Sequence, residues 1–336
     1  MITAKAPTRI DLAGGTLDIY PLYLFLDGGL TVNIAIDLAS ETTVQLRDDE
    51  KIFLHSKDLE ITKIFDSLRS LTVEHELEAA ARVVKYFAPI GGINVTTSCQ
   101  VPKGSGLGGS SALIVTLVAA LAQHTFRWPF NGDSQILSLS RDIEAKILGI
   151  PVGTQDYKAT IQGGANALWL DVGETKCEQI SLSHNFKDLL ETQIVLCYTG
   201  IPRFSGRSNW DIFRKFIDGD DRIRALLRKT SNIAKEILDA FREDDFESLV
   251  QSIQQEAQVR EQLYGNINID RVKMVQEICH SVGVTACKPC GAGGGGCYIL
   301  LASSQHQAER LRKNLIDSGI HILPFNIDLE GLKIYS

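Results

Sequence analysis

The sequence lacks any apolar run long enough to cross a membrane. Its longest, residues 112–122 (ALIVTLVAALA), falls well short of the roughly 20 residues that span a bilayer. Residues 1–13 contain no continuous hydrophobic stretch of the kind found in secretory signal peptides. We therefore expect a cytoplasmic protein that has no membrane partner.

An excess of basic residues is also missing. Lys and Arg together number 34 against 41 Asp and Glu, which gives a formal charge of -7. Because no basic cluster offsets this charge, a nucleic-acid partner is not expected. The composition is that of a folded protein, with 44% hydrophobic and 22% charged residues. A chain of 336 residues suffices for two domains of about 100 to 200 residues each.

Cysteine and histidine are present, but they lack the groupings that form disulfide scaffolds or metal sites. The seven cysteines are an odd number, and most lie in apolar runs. Cys287 and Cys290 form a C-x-x-C, yet no second Cys or His pair stands at the spacing of a zinc site. The seven histidines form no H-x-x-x-H pattern. These absences argue against both a disulfide framework and structural zinc.

The chain has neither an internal repeat nor a polar linker, so two domains would have to be joined compactly. Residues 51–72 are expected to form a loop. The periodicity predicts a β-rich start at 1–47. It predicts helices at 74–87, 110–124, 134–148 and 221–269, the last with a break at 264–265. It predicts strands at 93–98, 165–171, 192–198, 298–302 and 320–335. Strands and helices do not alternate strictly, which favours an α+β fold. The expected domains are 1–175 and 176–336.

The strongest local motif is Pro102-Lys-Gly-Ser-Gly-Leu-Gly-Gly-Ser-Ser-Ala112, which lies between a predicted strand and the start of an apolar helix. Glycines allow the backbone N–H groups to approach a phosphate closely, and the helix dipole adds positive character at that end. The motif therefore predicts an anion site. The hydroxyl of Ser110 or Ser111 would also be placed to bind Mg²⁺.

An alternative interpretation of this segment is a dinucleotide site, because Gly104, Gly106 and Gly109 satisfy G-x-G-x-x-G. That site needs a further parallel strand ending in an acidic residue about 20 positions on. Residues 128–133 lead into another predicted helix instead, so the context does not fit. No G-x-x-x-x-G-K-[ST] motif occurs either. The segment is thus expected to be a phosphate loop of a different kind.

A second glycine-rich segment, residues 288–297, has five glycines at six consecutive positions and precedes an apolar strand. Such a run loses much conformational entropy on folding, so it indicates close backbone approach to a ligand or to another loop. A flexible linker is the alternative, and the adjoining strand makes it the weaker one.

The third segment, residues 6–18, carries Arg9 on a predicted strand, a Gly-Gly turn and then Asp18. With these three segments in this order, nearly the whole chain resembles the GHMP kinases, the family of galactokinase, homoserine kinase, mevalonate kinase and phosphomevalonate kinase. The resemblance implies a two-domain α+β fold whose N-terminal domain is like ribosomal protein S5 domain 2 and whose C-terminal domain is ferredoxin-like. It also implies transfer of the γ-phosphoryl group of ATP, with Mg²⁺, to an alcohol.

Within this family the chain is most similar to bacterial sugar kinases of the D-glycero-D-manno-heptose 7-phosphate kinase type. The matching segments are 13–18, 153–157 and 198–205. Two segments depart from those kinases, each at two positions: Ala-Gly-Gly-Thr-Leu-Asp replaces A-G-G-G-T-D, and Gly-Thr-Gln-Asp-Tyr replaces G-K-Q-D-Q. The resemblance implies a small-molecule partner, a sugar or sugar phosphate. We expect the protein to be a monomer or homodimer. The departures concern the identity of the acceptor.

The resemblance also implies roles for single residues. Asp156 would accept the proton of the acceptor hydroxyl, and Arg9 would hold Asp156 ionised and offset charge on the moving phosphoryl group. Glu144, with Ser110, would bind Mg²⁺. The acceptor would be bound by Asp18, with Arg203, and the later glycine run, Gly293 and Gly294, would pack over the cleft.

Nine consecutive residues would hold the phosphates of ATP through their backbone: Lys103, Gly104, Ser105, Gly106, Leu107, Gly108, Gly109, Ser110 and Ser111.

Other functions stay open at this point. The acceptor is a heptose 7-phosphate, a simple hexose or a mevalonate-like alcohol, and the motif residues alone do not choose among them. A non-catalytic sensor that keeps the cleft is the alternative from another class. Such a sensor would lack the base or a metal ligand, whereas Asp156, Glu144 and Arg9 are all present.

Overall fold

Two β-sheets and ten α-helices form the part of the chain that this computed structural model describes, namely residues 1–336 apart from 126–131, 174, 203–204, 266–268 and 292. The strands are β1 (Ile2–Ala13), β2 (Gly29–Leu46), β3 (Ile52–Ser56), β4 (Ile61–Phe65), β5 (Ile93–Cys99), β6 (Ala165–Leu170), β7 (Lys176–Ile180), β8 (Ile194–Tyr198), β9 (Ala286–Pro289), β10 (Cys297–Leu301), β11 (His321–Ile322) and β12 (Lys333–Tyr335). The helices are α1 (Glu78–Phe87), α2 (Gly109–Thr125), α3 (Asp133–Leu148), α4 (Gln155–Gln162), α5 (His184–Gln193), α6 (Ser205–Ile217), α7 (Asp221–Arg242), α8 (Phe246–Tyr264), α9 (Asp270–Val282) and α10 (Gln305–Asp317).

The first sheet has eight strands and is organised around the long strand β2. Its main order is β12-β1-β2-β5-β3-β4. Strand β2 pairs with β1 along most of its length, while its first half also pairs with β6 and its second half with β5. The pairings are antiparallel except for that between β3 and β5. This largely antiparallel sheet with helices confirms the α+β class.

The second sheet has four antiparallel strands in the order β11-β8-β10-β9. In chain order these strands follow as β8, β9, β10 and β11, with helices α6 to α9 after β8 and helix α10 after β10. This is the β-α-β-β-α-β connectivity of a ferredoxin-like domain. The structure thus confirms the expectation for the C-terminal half.

The apolar cores explain how the elements pack. Helix α2 has apolar side chains on all faces and is buried almost throughout, as expected for a helix covered on every side. Helix α7 is amphipathic and packs against β1 and β2. One apolar cluster therefore joins the two sheets and includes Ile10, Leu196 and Phe241. Among the described helices, none is long and apolar enough to cross a membrane.

Several sequence expectations need correction. Residues 51–72 are not a loop, because β3 and β4 form a hairpin that joins the first sheet through β5. The region 221–269 is two helices, since Asp245 caps a new helix by accepting from Ser248 N. Residues 155–162 form helix α4, which the periodicity did not predict. Of the expected strand 320–335, only β11 and β12 are formed.

The division of the chain at residue 175 stays a prediction. Strand β7, which begins at Lys176, is hydrogen bonded to β6 in the first sheet. Strand β12, near the end of the chain, is hydrogen bonded to β1 in the same sheet.

Candidate active site

The glycine loop before α2 has the backbone conformation that its sequence predicts. Gly104, Gly106 and Gly108 all have positive φ, at 72°, 81° and 75°. Glycine takes these angles without the steric penalty that other residues incur. The loop leads directly into α2, whose first-turn N–H groups have no partner within the helix. Lys103 and Ser110 are exposed, whereas Ser105, Leu107 and Ser111 are buried.

Arg9, on β1, ties this loop to the catalytic candidate Asp156. Its backbone N–H donates to the carbonyl of Leu107 at 3.0 Å, and its Nη1 donates to the carbonyl of Gly106 at 2.6 Å. Its Nε donates to Oδ1 of Asp156 at 2.7 Å, and its Nη2 lies 2.7 Å from the same oxygen. Burial would lower the pKa of Arg9, but the charges of Asp156 and Asp11 raise it. The guanidinium is thus held cationic between loop and carboxylate.

Asp156 lies in the first turn of α4 and points its second carboxylate oxygen at the phosphate loop. A Cβ added to Gly108 would lie 3.3 Å from Oδ2 of Asp156, so this oxygen is adjacent to the start of α2. The hydroxyl of Ser111 is 3.5 Å from the same oxygen. Together with the contacts of Arg9, this places three predicted segments next to one another: residues 6–18, residues 102–112 and residues 153–157.

Asp18 fixes the beginning of helix α4. Its Oδ2 accepts from the backbone N–H groups of Thr154 and Gln155 at 2.7 and 2.9 Å. A Cβ on Gly153 would lie only 2.0 Å from that oxygen, so glycine is required for the contact. Burial raises the pKa of Asp18 to about 6, against the lowering effect of these hydrogen bonds. The predicted acceptor-binding aspartate is thus also a helix cap.

Glu144, on α3, is buried beside α2, the helix that follows the phosphate loop. Its Oε2 accepts from Ser111 at 2.6 Å and from the hydroxyl of Tyr157. Burial raises the pKa of Glu144, while hydrogen bonds from Ser111, Tyr157 and Ser110 act in the opposite direction. Tyr157 occupies one of the four positions at which segments 13–18 and 153–157 depart from the kinases that the sequence resembles.

The donor set around Glu144 suits a hard cation. One carboxylate and the hydroxyls of Ser110 and Ser111 offer oxygen ligands, which Mg²⁺ prefers, and Mg²⁺ usually takes its other ligands from waters and phosphates. Among the residues that the structure describes, no group of three or more His, Cys, Asp or Glu side chains could hold a metal. Glu144, Ser110 and Ser111 therefore fit a Mg²⁺ ion that takes its remaining ligands from a nucleotide and water.

The second glycine run packs against the phosphate loop. The carbonyl of Ser105 accepts from Cys297 N at 2.7 Å, and a Cβ on Gly296 would lie 2.7 Å from that carbonyl oxygen. The close backbone approach expected of this run is therefore to another loop. Gly293 and Gly294 have positive φ, at 77° and 82°. Arg203 lies outside the described residues.

A cluster of four buried charges, which sequence reasoning missed, underlies the site. Its members are Asp11 on β1, Glu256 and Arg260 on α8, and Lys288 on β9. Oδ2 of Asp11 lies 3.0 Å from Arg260 Nη2 and 3.3 Å from Lys288 Nζ. Arg260 also pairs with Glu256 and donates to the carbonyl of Gly291 at 3.0 Å. The cluster connects the two sheets and the second glycine run.

Comparison with known families matches both halves of the chain. The GHMP kinases N terminal domain matches residues 74–164, and the GHMP kinases C terminal domain matches residues 237–321. The chain therefore belongs to the GHMP kinases, and it is a kinase. The phosphoryl donor in this family is ATP.

Relatives and solved structures of similar length agree with this assignment. The D-glycero-alpha-D-manno-heptose 7-phosphate kinase of Campylobacter jejuni is 26% identical, over 99% of this chain and 98% of its own. The mevalonate kinase of Thermococcus onnurineus is 23% identical over 99% and 98% of the two chains. The crystal structure of a D-glycero-D-manno-heptose 1-phosphate kinase from Bacteroides thetaiotaomicron superimposes with a TM-score of 0.80 at 22% identity, covering 100% of this chain and 99% of that one.

Proposed function

We propose that this kinase transfers the γ-phosphoryl group of ATP to a sugar hydroxyl, the anomeric hydroxyl of a heptose 7-phosphate or a related sugar. The observation that carries the proposal is the contact between Arg9, Asp156 and the phosphate loop. It combines a proton acceptor, a fixed cation and an anion site within hydrogen-bond reach of one another. Phosphoryl transfer depends mainly on such alignment and charge stabilisation.

ATP would bind with its phosphates along residues 103–111. The backbone N–H groups of the glycine loop and the first turn of α2 are suited to this, because they carry partial positive charge. The positive φ angles of Gly104, Gly106 and Gly108 support the close approach of the chain to the phosphates. Lys103 is exposed at the edge of the loop and can contact the phosphates from solvent.

Asp156 would act as the general base. Arg9 occupies Oδ1, so Oδ2 is the oxygen that accepts the proton of the acceptor hydroxyl. The acceptor oxygen then forms its bond to the γ-phosphorus, while the bond between that phosphorus and the bridging oxygen breaks and ADP leaves. Arg9 fixes the position of the base before the transfer and offsets negative charge as it develops.

Glu144 and Ser110 would hold Mg²⁺, with Ser111 and Tyr157 fixing the carboxylate. When bound, the ion neutralises charge on the β- and γ-phosphates. Ser110 is exposed and so can contact a ligand, whereas Ser111 is buried and donates to Glu144.

The acceptor side supports a polyhydroxylated substrate. Asp18 accepts from α4 through one oxygen and can accept a sugar hydroxyl through the other. Gly293 and Gly294 would border the acceptor, and Arg203 would bind its phosphate. The Campylobacter jejuni and Bacteroides thetaiotaomicron proteins, both of which align along their full length, are heptose phosphate kinases by name.

Phosphorus NMR tests this proposal directly. Purified protein is incubated with ATP and Mg²⁺ and, in separate samples, with heptose 7-phosphates, hexoses and mevalonate. We expect ADP and a new phosphate ester on the anomeric carbon of a sugar. The Asp156→Ala variant, prepared in parallel, should show neither, which assigns the turnover to this protein and not to a contaminant.

The other outcomes are equally informative. An ester formed only on mevalonate would contradict the sugar assignment and leave the kinase intact. If ATP raised the melting temperature but stayed unhydrolysed and untransferred with every acceptor, the sensor function would replace the proposed one.

A further inference from the structure

Thr16, in the turn between β1 and Asp18, has a backbone conformation that its side chain disfavours. Its φ is 91°, within the left-handed region where a β-branched residue is a rare outlier. Glycine, by contrast, takes such an angle without a steric penalty. Backbone strain of this kind persists only where surrounding contacts enforce it, and it concentrates at functional sites.

The contacts that enforce it come from the other half of the molecule. The Thr16 hydroxyl lies 2.6 Å from the hydroxyl of Tyr264 and 3.1 Å from Oδ1 of Asn209. Tyr264 in turn donates to the same Asn209 oxygen at 2.7 Å. Tyr264 ends helix α8, and Asn209 lies on helix α6. Three polar groups, separated by up to 248 positions in sequence, thus form one closed triangle.

The turn that this triangle holds is the proposed acceptor side of the site. Asp18, two residues after Thr16, caps the helix that carries Asp156. On the other side of Thr16, a Cβ on Gly15 would lie 2.7 Å from Asp11 and 3.1 Å from the Gln155 side chain. The turn is therefore wedged between the buried charge cluster and the base-bearing helix. Any shift of the turn would move Asp18 relative to Asp156.

We propose that Thr16, Asn209 and Tyr264 form a latch that fixes the turn of residues 14–18 against helices α6 and α8 and thereby determines acceptor selectivity. Selectivity here rests on the proposed sugar kinase function. A fixed turn discriminates between acceptors by the position of their hydroxyls, whereas glycine at position 16 would leave the turn free to adapt. The three residues are positioning residues, since none of them needs to touch the reacting atoms.

The test compares Thr16→Val, which keeps the shape and removes the hydroxyl, with Thr16→Ser, which keeps the hydroxyl. Tyr264→Phe removes the second hydroxyl. Thr230→Val is the matched control, because Thr230 is a buried threonine whose hydroxyl donates within helix α7 to the carbonyl of Leu226. For each variant, kcat and KM are measured for ATP and for two sugar acceptors that differ at one hydroxyl.

We expect Thr16→Val and Tyr264→Phe to raise the acceptor KM at least tenfold and to change the ratio of kcat/KM between the two acceptors at least fivefold. The KM for ATP should stay within twofold, and Thr16→Ser and Thr230→Val should behave like the wild type. The proposal would be overturned if the ratio of kcat/KM between the two acceptors stayed unchanged, or if the KM for ATP and the KM for the acceptor changed equally.

Trp210, next to Asn209 on α6, gives a readout that needs no activity. It stacks on Phe213 with ring centroids 5.5 Å apart. Its fluorescence is obtained as the difference from a Trp210→Phe background, and its quenching by acrylamide should increase at least twofold in Thr16→Val. Unchanged quenching would show that no latch exists. If the wild type phosphorylated no acceptor, the proposed function and the selectivity would both fail, and quenching alone would decide the latch.

Discussion

Arg9 holds one carboxylate oxygen of Asp156 and leaves the other beside Gly108, at the start of helix α2. This division matters because a general base needs one oxygen free to accept a proton while the carboxylate stays ionised. The same arginine donates to the carbonyl of Gly106. The base and the phosphate loop are therefore fixed to one rigid side chain, which sets the distance between the acceptor hydroxyl and the phosphate.

The first prediction concerns Asp156. We expect Asp156→Ala and Asp156→Asn to lower kcat by about a hundredfold to ten-thousandfold, the usual contribution of a general base, while the affinity for ATP changes little. The measurement is steady-state ADP production together with equilibrium binding of ATP.

Two controls separate chemistry from folding in this experiment. Asp156→Asn keeps an oxygen for Arg9, so its circular dichroism and melting temperature should match the wild type more closely than those of Asp156→Ala. Asp142→Ala removes an exposed carboxylate on α3 and should retain full activity. Near-normal turnover in both Asp156 variants would remove this residue from the mechanism.

The second prediction concerns Tyr157, whose hydroxyl donates to Glu144. Burial and the nearby Glu144 charge raise the pKa of Tyr157 well above 10, so the phenol stays a donor at neutral pH. Groups that orient a metal ligand typically contribute tenfold to hundredfold to metal affinity. We therefore expect Tyr157→Phe to weaken Mn²⁺ binding by that factor in the presence of ADP, as followed by electron paramagnetic resonance.

Binding of ADP without metal should be unchanged in Tyr157→Phe. Tyr86→Phe, at an exposed position on α1, is the matched control and should bind Mn²⁺ like the wild type. Equal Mn²⁺ affinity in all three proteins would mean that Tyr157 does not position Glu144.

The three glycine-containing segments could be found from sequence, because each has glycines where the backbone needs them and a recognisable pattern of neighbouring residues. Helix α4, which carries Asp156, could not be predicted from sequence. Thr154 precedes it at the N-cap position, but the side chain of Thr154 makes no capping hydrogen bond. The start of the helix is bound instead by the carboxylate of Asp18, which lies 136 positions earlier in the chain and cannot be found from local sequence. The break between α7 and α8, by contrast, had a local signal in Asp245, a typical N-cap residue.

The buried contacts between the two halves also have no local signature. Asp11 and Lys288 are 277 positions apart. Neither is spaced from another functional residue in the way that would place both on one face of a helix or strand. Charged residues are almost never fully buried unless they are paired, so sequence reasoning expects them on the surface. Only the meeting of β1, α8 and β9 supplies the partners that make their burial possible.

The third prediction is a pH dependence of stability from Asp18. Its pKa is raised from about 3.8 to about 6, mainly by burial, with the charges of Asp156 and Asp11 adding to the effect. Between these values the folded protein keeps a proton that the unfolded chain has lost, so this group lowers the free energy of unfolding as pH rises. We expect the difference between wild type and Asp18→Asn to decrease by about 2 kcal/mol from pH 4 to pH 6.5.

Urea unfolding at a series of pH values measures this difference. Asp245→Asn provides a control of opposite sign, because hydrogen bonds from Ser248 lower the pKa of that carboxyl. Its contribution is present at neutral pH and is lost as pH falls. A difference between wild type and Asp18→Asn that stayed constant over the range would contradict the raised pKa of Asp18.

The fourth prediction concerns Lys288, which is fully buried at the centre of the charge cluster. Its Nζ donates to the backbone carbonyl of Asp11 at 2.6 Å and to Oδ2 of the same residue at 3.3 Å. Burial alone would raise the pKa of Asp11, but Lys288, Arg260 and Arg9 together lower it. Removing one partner from such a cluster leaves buried charge uncompensated, which costs about 3 to 5 kcal/mol.

We therefore expect Lys288→Met to lose about that much unfolding free energy in urea. Lys187→Met, which breaks a partly exposed pair with Glu191, should lose less than about 1 kcal/mol. The double variant Lys288→Met with Asp11→Asn separates the two explanations for a large loss. If uncompensated charge is the cause, neutralising Asp11 recovers part of the stability, because Arg260 still balances Glu256. If lost packing is the cause, the second substitution recovers nothing.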